Sequence, residues 1–284
     1  MSARDGTLAY WVIDTSGAGG TQSVRTLQLD GSGVSLVAET GDPIQDRAET
    51  LGGPGCTATD GANVAFLGAL SSGTPAIFTN RGTDPGEALR TVAVSGEGLV
   101  YSSPTCPDIS GERIVFTANT TGSVNAIFLE DSTGLRTIVE AGDPIPGDPL
   151  GRTFGVFFDP QIDGDFVAFR GSDQVYFHID GLYILDLATG EVAPLITSDD
   201  ALDGRDIHLS RILGPHGEPT KLDGHQLLFE PDFDGTSAGT DAIYLATFAF
   251  SSPVPALSAA WVWAVAFLFL VLGFAALRAR KEVV

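Results

Sequence analysis

Short runs of alternating apolar and polar residues recur along the chain, each introduced by a small turn. One phrase, a turn pair followed by an apolar alternation with an aromatic residue, occurs five times: DGTLAYWV from residue 5, DGANVAFLG from 60, SGERIVFTA from 110, DGDFVAFRG from 163 and DGHQLLFEP from 223. A turn that leads into a period-two run is typical of a hairpin that feeds a half-buried strand. The chain is therefore predicted to be built from repeated β units of about fifty residues.

Each phrase is accompanied by further strand-like runs. A second run follows in every unit, a third run follows in the first four units, and a Pro-containing segment such as PTCPDI or FDPQI usually comes before the phrase. Four short strands per unit, repeated radially, describe the blade of a β-propeller. We predict an all-β fold over residues 1–250, a β-propeller-like array of about five four-stranded repeats, with a β-sandwich or an open β-solenoid as the alternatives.

The two ends of the array differ from its middle. The first unit begins at Asp5 without a preceding strand, and the fifth ends after AIYLATF without its third run. Either one end completes the blade begun by the other, which gives five blades, or the N-terminus is incomplete and a sixth blade exists. The first residues also lack the basic and apolar regions of a secretory signal, which favours an incomplete N-terminus.

The C-terminal region changes character. After a Pro-containing linker at 251–255, residues 256–277 carry no charge and would extend roughly 33 Å as a helix, enough for a hydrocarbon core of about 30 Å. Arg278, Arg280 and Lys281 stand in the basic tail at 278–284. Because basic residues favour the cytoplasmic side, we predict a single-pass transmembrane helix with the large domain outside the cytoplasm. A buried core helix is the alternative.

Composition limits the classes of partner. The chain has 36 acidic and 15 basic residues, a formal net charge of −21, so it lacks the basic footprint of a nucleic-acid-binding protein. Its 43% hydrophobic residues and 17 Phe are enough for a folded core, and 35 Gly with 16 Pro suit many turns between short strands. We therefore expect a folded acidic protein that does not bind nucleic acid.

The two cysteines occupy equivalent positions in neighbouring units. Cys56 and Cys106 each stand four residues before the turn phrase of their unit. Thiols at matching places in adjacent blades can come within the separation that a disulfide requires, and an exported protein meets an oxidising compartment. We predict a Cys56–Cys106 disulfide, with two buried reduced cysteines as the alternative.

Acidic residues recur where the third run of each unit ends. Asp42, Glu97, Asp143 and Asp199 would form a ring of carboxylates on one rim of a propeller. Repetition of a turn repeats its residues, so the simpler interpretation is that they shape and solvate turns. The alternative is a Ca²⁺ site, since hard cations prefer clustered oxygen ligands. No other cofactor and no metal site is predicted.

Catalytic motifs do not stand out. The chain has no Gly-x-Ser-x-Gly elbow, P-loop or dinucleotide fingerprint. Paired carboxylates for glycoside cleavage could be drawn from the many Asp and Glu residues, but their positions in sequence do not indicate which would face each other. These observations favour a protein that is not an enzyme.

The tail resembles a known class of signals. Val254, Pro255, Ala256, Leu257 and Ser258, followed by an apolar helix that contains Trp and by the basic cluster, resemble the C-terminal sorting signals of bacterial exosortase-type systems, the PEP-CTERM and IPTL-CTERM groups. Ala256 stands where Glu would follow Pro in the PEP-CTERM pattern. The repeat phrase, with Gly6, Ala9 and Tyr10, also resembles that of uncharacterised tandem-repeat bacterial surface proteins.

The tail resemblance implies a partner and a location. The partner is an intramembrane exosortase-type transpeptidase in a Gram-negative envelope, and the acidic domain is anchored or released at the cell surface or in the extracellular matrix. The resulting prediction is a non-enzymatic, exported propeller-like protein that binds a surface polysaccharide or protein. A secreted propeller hydrolase or lyase that acts on polysaccharide through channel carboxylates is the alternative.

Overall fold

The computed structural model describes residues 2–14, 20–81, 89–97, 99–100, 106–173, 180–202, 204–207, 222–229 and 244–250. One compact unit spans Met1–Phe248, and a second spans Ala249–Val284, of which only the first two residues are described. Every regular element in the described ranges is a β-strand. The predicted all-β class is confirmed.

Sheets 1 and 2 are four-stranded antiparallel sheets in which the strands follow chain order. Sheet 1 contains β1 (Ser2–Arg4), β2 (Thr7–Asp14), β3 (Thr21–Gln28) and β4 (Val34–Glu39). Sheet 2 contains β5 (Leu51–Thr59), β6 (Val64–Leu70), β7 (Pro75–Thr79) and β8 (Arg90–Val94).

Sheets 3 and 4 repeat this arrangement. Sheet 3 contains β10 (Asp108–Ser110), β11 (Arg113–Thr120), β12 (Asn125–Asp131) and β13 (Gly134–Glu140), and the short β9 (Leu99–Val100) also pairs with β11. Sheet 4 contains β14 (Val156–Asp163), β15 (Phe166–Ser172), β16 (Asp180–Asp186) and β17 (Val192–Thr197). The four strands predicted for each of these units are present.

The remaining strands are shorter. A two-stranded ribbon pairs β18 (Ala201–Leu202) with β19 (Arg205–Asp206). Sheet 5 has three strands in the described residues, β20 (Leu222–Asp223), β21 (Gln226–Phe229) and β22 (Tyr244–Thr247). The described residues do not form a closed propeller, so the blade number stays a prediction.

The first unit corrects one expectation. Its preceding strand is present, because Ser2–Arg4 pairs with β2 through Arg4 opposite Thr7. The two loop residues, Asp5 and Gly6, both have positive φ, 49° and 75°, as a tight two-residue hairpin loop requires. Three residues before a turn are too few to display an alternating pattern, which is why the sequence did not reveal this strand.

Neighbouring sheets share apolar cores. Leu51, Phe66 and Phe78 of sheet 2 pack with Ala9 and Val24 of sheet 1. The opposite face of sheet 2, with Ala65 and Ile77, packs against sheet 3 through Phe116 and Phe128. A third core joins sheets 3 and 4 around Phe154, Phe157, Phe169 and Tyr183. Sheets 2 and 3 each pack against a neighbouring sheet on both faces. Strands in such sheets are apolar on both sides, as in the run VAFLG of β6.

No helix in the described ranges is long and apolar enough to span a membrane. The predicted transmembrane segment, 256–277, lies outside those ranges, as do the linker at 251–255 and the tail at 278–284.

Candidate functional site

We call the first strand of each sheet, which is β1, β5, β10, β14 or β20, its inner strand. Four of these inner strands end at equivalent positions. Arg4, Ser110, Asp163 and Asp223 each precede a two-residue hairpin loop and pair with the first residue of the next strand. The inner strands of sequence neighbours also contact one another. The last residues of these strands therefore lie at the place where the sheets converge, as at the axis of a propeller.

Arg4 connects three sheets at this place. Its Nη1 donates to the carbonyl oxygen of Ile109 at 2.8 Å, and its Nη2 donates to that of Ile162 at 3.0 Å. Nη2 also lies 3.3 Å from a carboxylate oxygen of Asp163. The guanidinium thus satisfies backbone acceptors at the free edges of two inner strands and carries a positive charge to the point of convergence.

Asp108 and Gln161 form equivalent bridges between sheets. Asp108 Oδ2 accepts the backbone N–H of Ile162 at 2.8 Å, and Gln161 Oε1 accepts that of Leu222 at 3.1 Å. Each side chain stands two residues before the last residue of its strand and reaches the inner strand of the next sheet. This repetition shows that the inner strands are joined by side chains rather than by a backbone ladder.

Asp108 has the most perturbed environment in the cluster. Desolvation by burial raises the pKa of its carboxyl from 3.8 to about 6, and the nearby charge of Asp163 acts in the same direction. The N–H of Ile162 and the charge of Arg4 oppose the rise in pKa. A carboxyl of this kind holds its proton in weakly acidic solution, where an ordinary aspartate does not.

Asp163 is held as an acceptor. Its carboxylate receives the Ser110 hydroxyl at 3.5 Å and the backbone N–H of Gly224, in addition to its ion pair with Arg4. The side chain keeps 28% of its accessible surface. We call Arg4, Asp108, Ser110, Gln161 and Asp163 the inner-strand cluster. It places two carboxyl groups beside one cation, and burial raises the pKa of one of them, Asp108.

A bulge interrupts β14 just before the cluster. The pairing with β15 shifts between Phe158 and Gln161, and Asp159 has a φ of 45°. Burial raises the pKa of Asp159, and Arg170, whose guanidinium lies over the Phe158 ring at 5.0 Å, opposes that rise. Bulges and positive φ at non-glycine residues are concentrated near functional sites.

The cysteine prediction is confirmed. Cys56 and Cys106 are joined by a disulfide, with their Cα atoms 5.5 Å apart. Cys56 lies on inner strand β5, and Cys106 lies two residues before β10, so the bond links sheets 2 and 3 close to the inner-strand cluster. The bond closes a loop across a sequence separation of 50 residues.

The acidic rim residues serve in turns. Asp42 Oδ2 accepts the backbone N–H of Glu39 at 2.8 Å, and Asp143 Oδ2 accepts that of Glu140 at 2.9 Å. In sheet 4 the same contact is made by Asp200, to the N–H of Thr197, so the equivalent residue is Asp200 rather than the predicted Asp199. The repeated carboxylate is a feature of the turn itself.

The other two rim residues lie beside arginines. Glu97 forms an ion pair with Arg47 at 2.6 Å, and Asp199 lies 4.0 Å from Arg152. Within the described ranges, no group of three or more His, Cys, Asp or Glu side chains is arranged to hold a metal ion. The structure therefore does not bring the four predicted residues together as a Ca²⁺ site.

The predicted sorting residues, Val254 to Ser258, and the basic residues Arg278, Arg280 and Lys281 fall outside the described ranges.

No protein-family model and no curated protein matches the chain. Solved structures do match it at low identity. An oligogalacturonate lyase in complex with manganese is 18% identical with a TM-score of 0.46, covering 88% of this chain and 65% of the lyase. The β-propeller domain of the Trilobed protease from Pyrococcus furiosus is 12% identical with a TM-score of 0.45, covering 86% and 80%. An acylaminoacyl peptidase is 13% identical with a TM-score of 0.43, covering 86% and 43%.

These matches concern the fold. The chain spans 65% of the manganese-bound lyase and 43% of the peptidase. The prediction that the protein is not an enzyme is contradicted by this comparison, because the matching structures include lyases and peptidases. The absence of familiar catalytic motifs was a weak basis for it, since a catalytic site assembled from separate blades leaves no local motif.

The inner-strand cluster was not found from the sequence. Asp163 opens one of the repeat phrases, and Asp108 stands in the Pro-containing segment PTCPDI. The signal that points to them is positional, because Asp108 and Gln161 occupy the same place two residues before the end of an inner strand. That alignment becomes visible only when the strand ends are known.

Proposed function

We propose that the protein is an exported glycoside hydrolase that cleaves polysaccharide at the inner-strand cluster. The observation that carries this proposal is the placement of two carboxyl groups beside one guanidinium: Arg4 is ion-paired with Asp163, and its charge also acts on Asp108, whose pKa burial raises to about 6. Glycoside hydrolysis uses two carboxyl groups, one protonated to donate to the leaving oxygen and one ionised to act as base or nucleophile. Asp108 is the acid in this scheme, and Asp163 is the ionised partner.

The overall charge favours an uncharged substrate. With a net charge of −21, the protein repels polyanions such as uronic acid polymers. A lyase, which removes a proton beside a uronate carboxylate, would have to bind such a polymer against this field. Hydrolysis of a neutral polysaccharide meets no such electrostatic cost.

The test is a cleavage assay on neutral glucans, xylans and mannans beside uronate polymers, with reducing ends and unsaturated products measured separately. We expect new reducing ends from a neutral polymer, with a rate that falls as the pH rises above about 6 because Asp108 loses its proton. Asp108→Asn and Asp163→Asn should each lower the rate at least a hundredfold. Asp30→Asn, in an exposed turn, is the matched control and should keep full activity.

Unsaturated products from a uronate polymer would show that the protein is a lyase and not a hydrolase. Full activity of both the Asp108→Asn and the Asp163→Asn variants would show that catalysis does not take place at the inner-strand cluster.

Export through the C-terminal signal is the second part of the proposal. It rests on the sequence of the tail, and the Cys56–Cys106 disulfide supports it because such bonds persist in oxidising compartments. The test is the intact mass and cellular fraction of the protein made by its native host. A mature form outside the cytoplasm that ends near Val254 is expected. A cytoplasmic form with reduced cysteines would contradict export, and a membrane-bound form still ending at Val284 would contradict sorting.

A further inference from the structure

A groove of about 550 Å³ lies between the hairpin loops of sheets 3 and 4. Its wall includes the β10–β11 loop with Glu112, the neighbouring Arg113 and the β12–β13 loop with Ser132. This volume is within the range of small-molecule sites in proteins. The residues that line the groove are polar, charged or glycine, and none of them is aromatic.

The groove adjoins the inner-strand cluster. Ser110 belongs to both, since it lines the groove and its hydroxyl donates to Asp163. Gly164, also in the wall, donates its backbone N–H to Ser110 Oγ at 3.2 Å. A molecule that fills the groove therefore contacts the serine whose hydroxyl donates to Asp163.

Three polar groups in the wall keep hydrogen-bonding capacity. Among the described residues, Arg113 donates from Nη1 to the Gly164 carbonyl at 2.6 Å and to Asp165 at 2.7 Å, and its Nε and Nη2 make no hydrogen bond there. Within the described part of the chain, the Glu112 carboxylate and the Ser132 hydroxyl make no hydrogen bond. For Asp131, by contrast, burial raises the pKa of the carboxyl, but hydrogen bonds from Thr133 and Arg136 outweigh it and lower the pKa to about 2.

Glu112 stands on a fixed support. Arg81 of sheet 2 donates from Nη1 to the Glu112 carbonyl oxygen and from Nη2 to the carboxylate of Glu130. Glu130 is buried and also pairs with Arg90 at 3.1 Å. A wall that is already held in place loses little conformational entropy on binding a ligand.

We propose that this groove binds the sugar residues next to the cleaved bond, and that Glu112 and Arg113 determine the preference for uncharged sugars. The inference rests on the proposed hydrolase function. A carboxylate that accepts from sugar hydroxyls and a guanidinium that donates to them suit a hydroxyl-rich ligand. Asp131 and Arg113 are already ion-paired, with Arg136 and Asp165, so the Glu112 carboxylate is the charge that opposes the binding of a uronate.

The test separates binding from cleavage. Asp108→Asn serves as the background that cannot cleave, and calorimetry measures its affinity for neutral gluco-, xylo- and manno-oligosaccharides. Glu112→Gln and Arg113→Gln, each added to that background, should lower the affinity about tenfold for the oligosaccharide that binds. Glu140→Gln, an exposed glutamate at the end of β13, is the matched control and should leave the affinity unchanged. In the active protein, Glu112→Gln should raise KM and leave kcat within about twofold.

The outcomes distinguish the two proposals. Binding that depends on Glu112, without any cleavage by the wild-type protein, would support sugar binding in the groove and contradict the proposed hydrolase activity. Cleavage with an unchanged KM in Glu112→Gln and Arg113→Gln would support the hydrolase activity and contradict sugar binding in the groove. Failure of every oligosaccharide to bind would also overturn the groove, and an increased affinity of Glu112→Gln for oligouronates with none for neutral sugars would overturn the stated preference.

Discussion

The guanidinium of Arg4 donates to the carbonyl oxygen of Ile109 at 2.8 Å, although 105 positions of the chain separate the two residues. The same side chain reaches Ile162 and Asp163. One residue of the short first strand therefore fastens sheet 1 to sheets 3 and 4, with which it shares no strand pairing.

Replacing Arg4 should destabilise the fold more than its position near the N-terminus suggests. Arg4→Met removes two charged hydrogen bonds and leaves Asp163 without its cation, so we expect a loss of about 3 kcal/mol in the free energy of unfolding. Arg25→Met, which removes an exposed arginine of β3 whose Nε donates to Ser23, should cost less than about 1 kcal/mol. Urea unfolding measures both, and equal costs would contradict the bridging role of Arg4.

Asp108 should make stability depend on pH. Because its pKa is about 6 in the folded protein and near 3.8 in the unfolded chain, the folded state binds more protons between these values, and stability falls as the pH rises from about 4 to about 6. Asp108→Asn keeps an acceptor for the Ile162 N–H and never ionises. Two pKa units correspond to about 3 kcal/mol, so the variant should exceed the wild-type stability by up to that amount at pH 8.

The same comparison at pH 4 supplies the control, since wild type and Asp108→Asn should then be about equally stable. Denaturant unfolding at both pH values is the measurement. A variant that is less stable than wild type at pH 8 would show that the carboxylate form of Asp108 is favoured in the fold.

Breaking the Cys56–Cys106 disulfide between sheets 2 and 3 should lower the free energy of unfolding. A disulfide that closes a loop of this length stabilises by about 4 kcal/mol through the unfolded state. We expect a reductant to lower the midpoint of wild-type unfolding and to have no effect on the Cys56→Ser/Cys106→Ser double variant. A wild-type midpoint that does not respond to full reduction would contradict this prediction.

Gly61 should be intolerant of a side chain. Its φ is 99°, and a Cβ there would lie 2.9 Å from Cβ of Asp5 in the first hairpin loop. Gly96, with a φ of 88° and no atom within 4 Å of an added Cβ, carries the same backbone strain without the clash. Gly96→Ala should cost about 1 kcal/mol and Gly61→Ala about 2 kcal/mol more. Thermal or urea unfolding of the pair isolates the contact between sheets 1 and 2, and equal losses would show that the contact yields without cost.

The repeat phrase predicted much of the fold. Its turn pair and apolar run located the second strand of every unit, and the runs around it indicated the four strands of sheets 2 to 4 and the last three strands of sheet 1. The equivalent positions of Cys56 and Cys106 also indicated their disulfide, since equal places in neighbouring units lie close together. The acidic turn residues were found by the same repetition, with an error of one residue at Asp199.

Sequence by itself thus predicted the all-β class, the length of the unit, its four strands and a disulfide between the two cysteines. The tertiary structure alone decided that Arg4 belongs beside Asp163, and that Asp108 lies where burial raises the pKa of its carboxyl. It also decided that Ser110 joins this cluster to a groove. The period of a strand depends on neighbouring residues, whereas the contact of Ser110 with Asp163 crosses 53 positions and that of Arg4 with Asp163 crosses more, and both depend on how each sheet packs against the next.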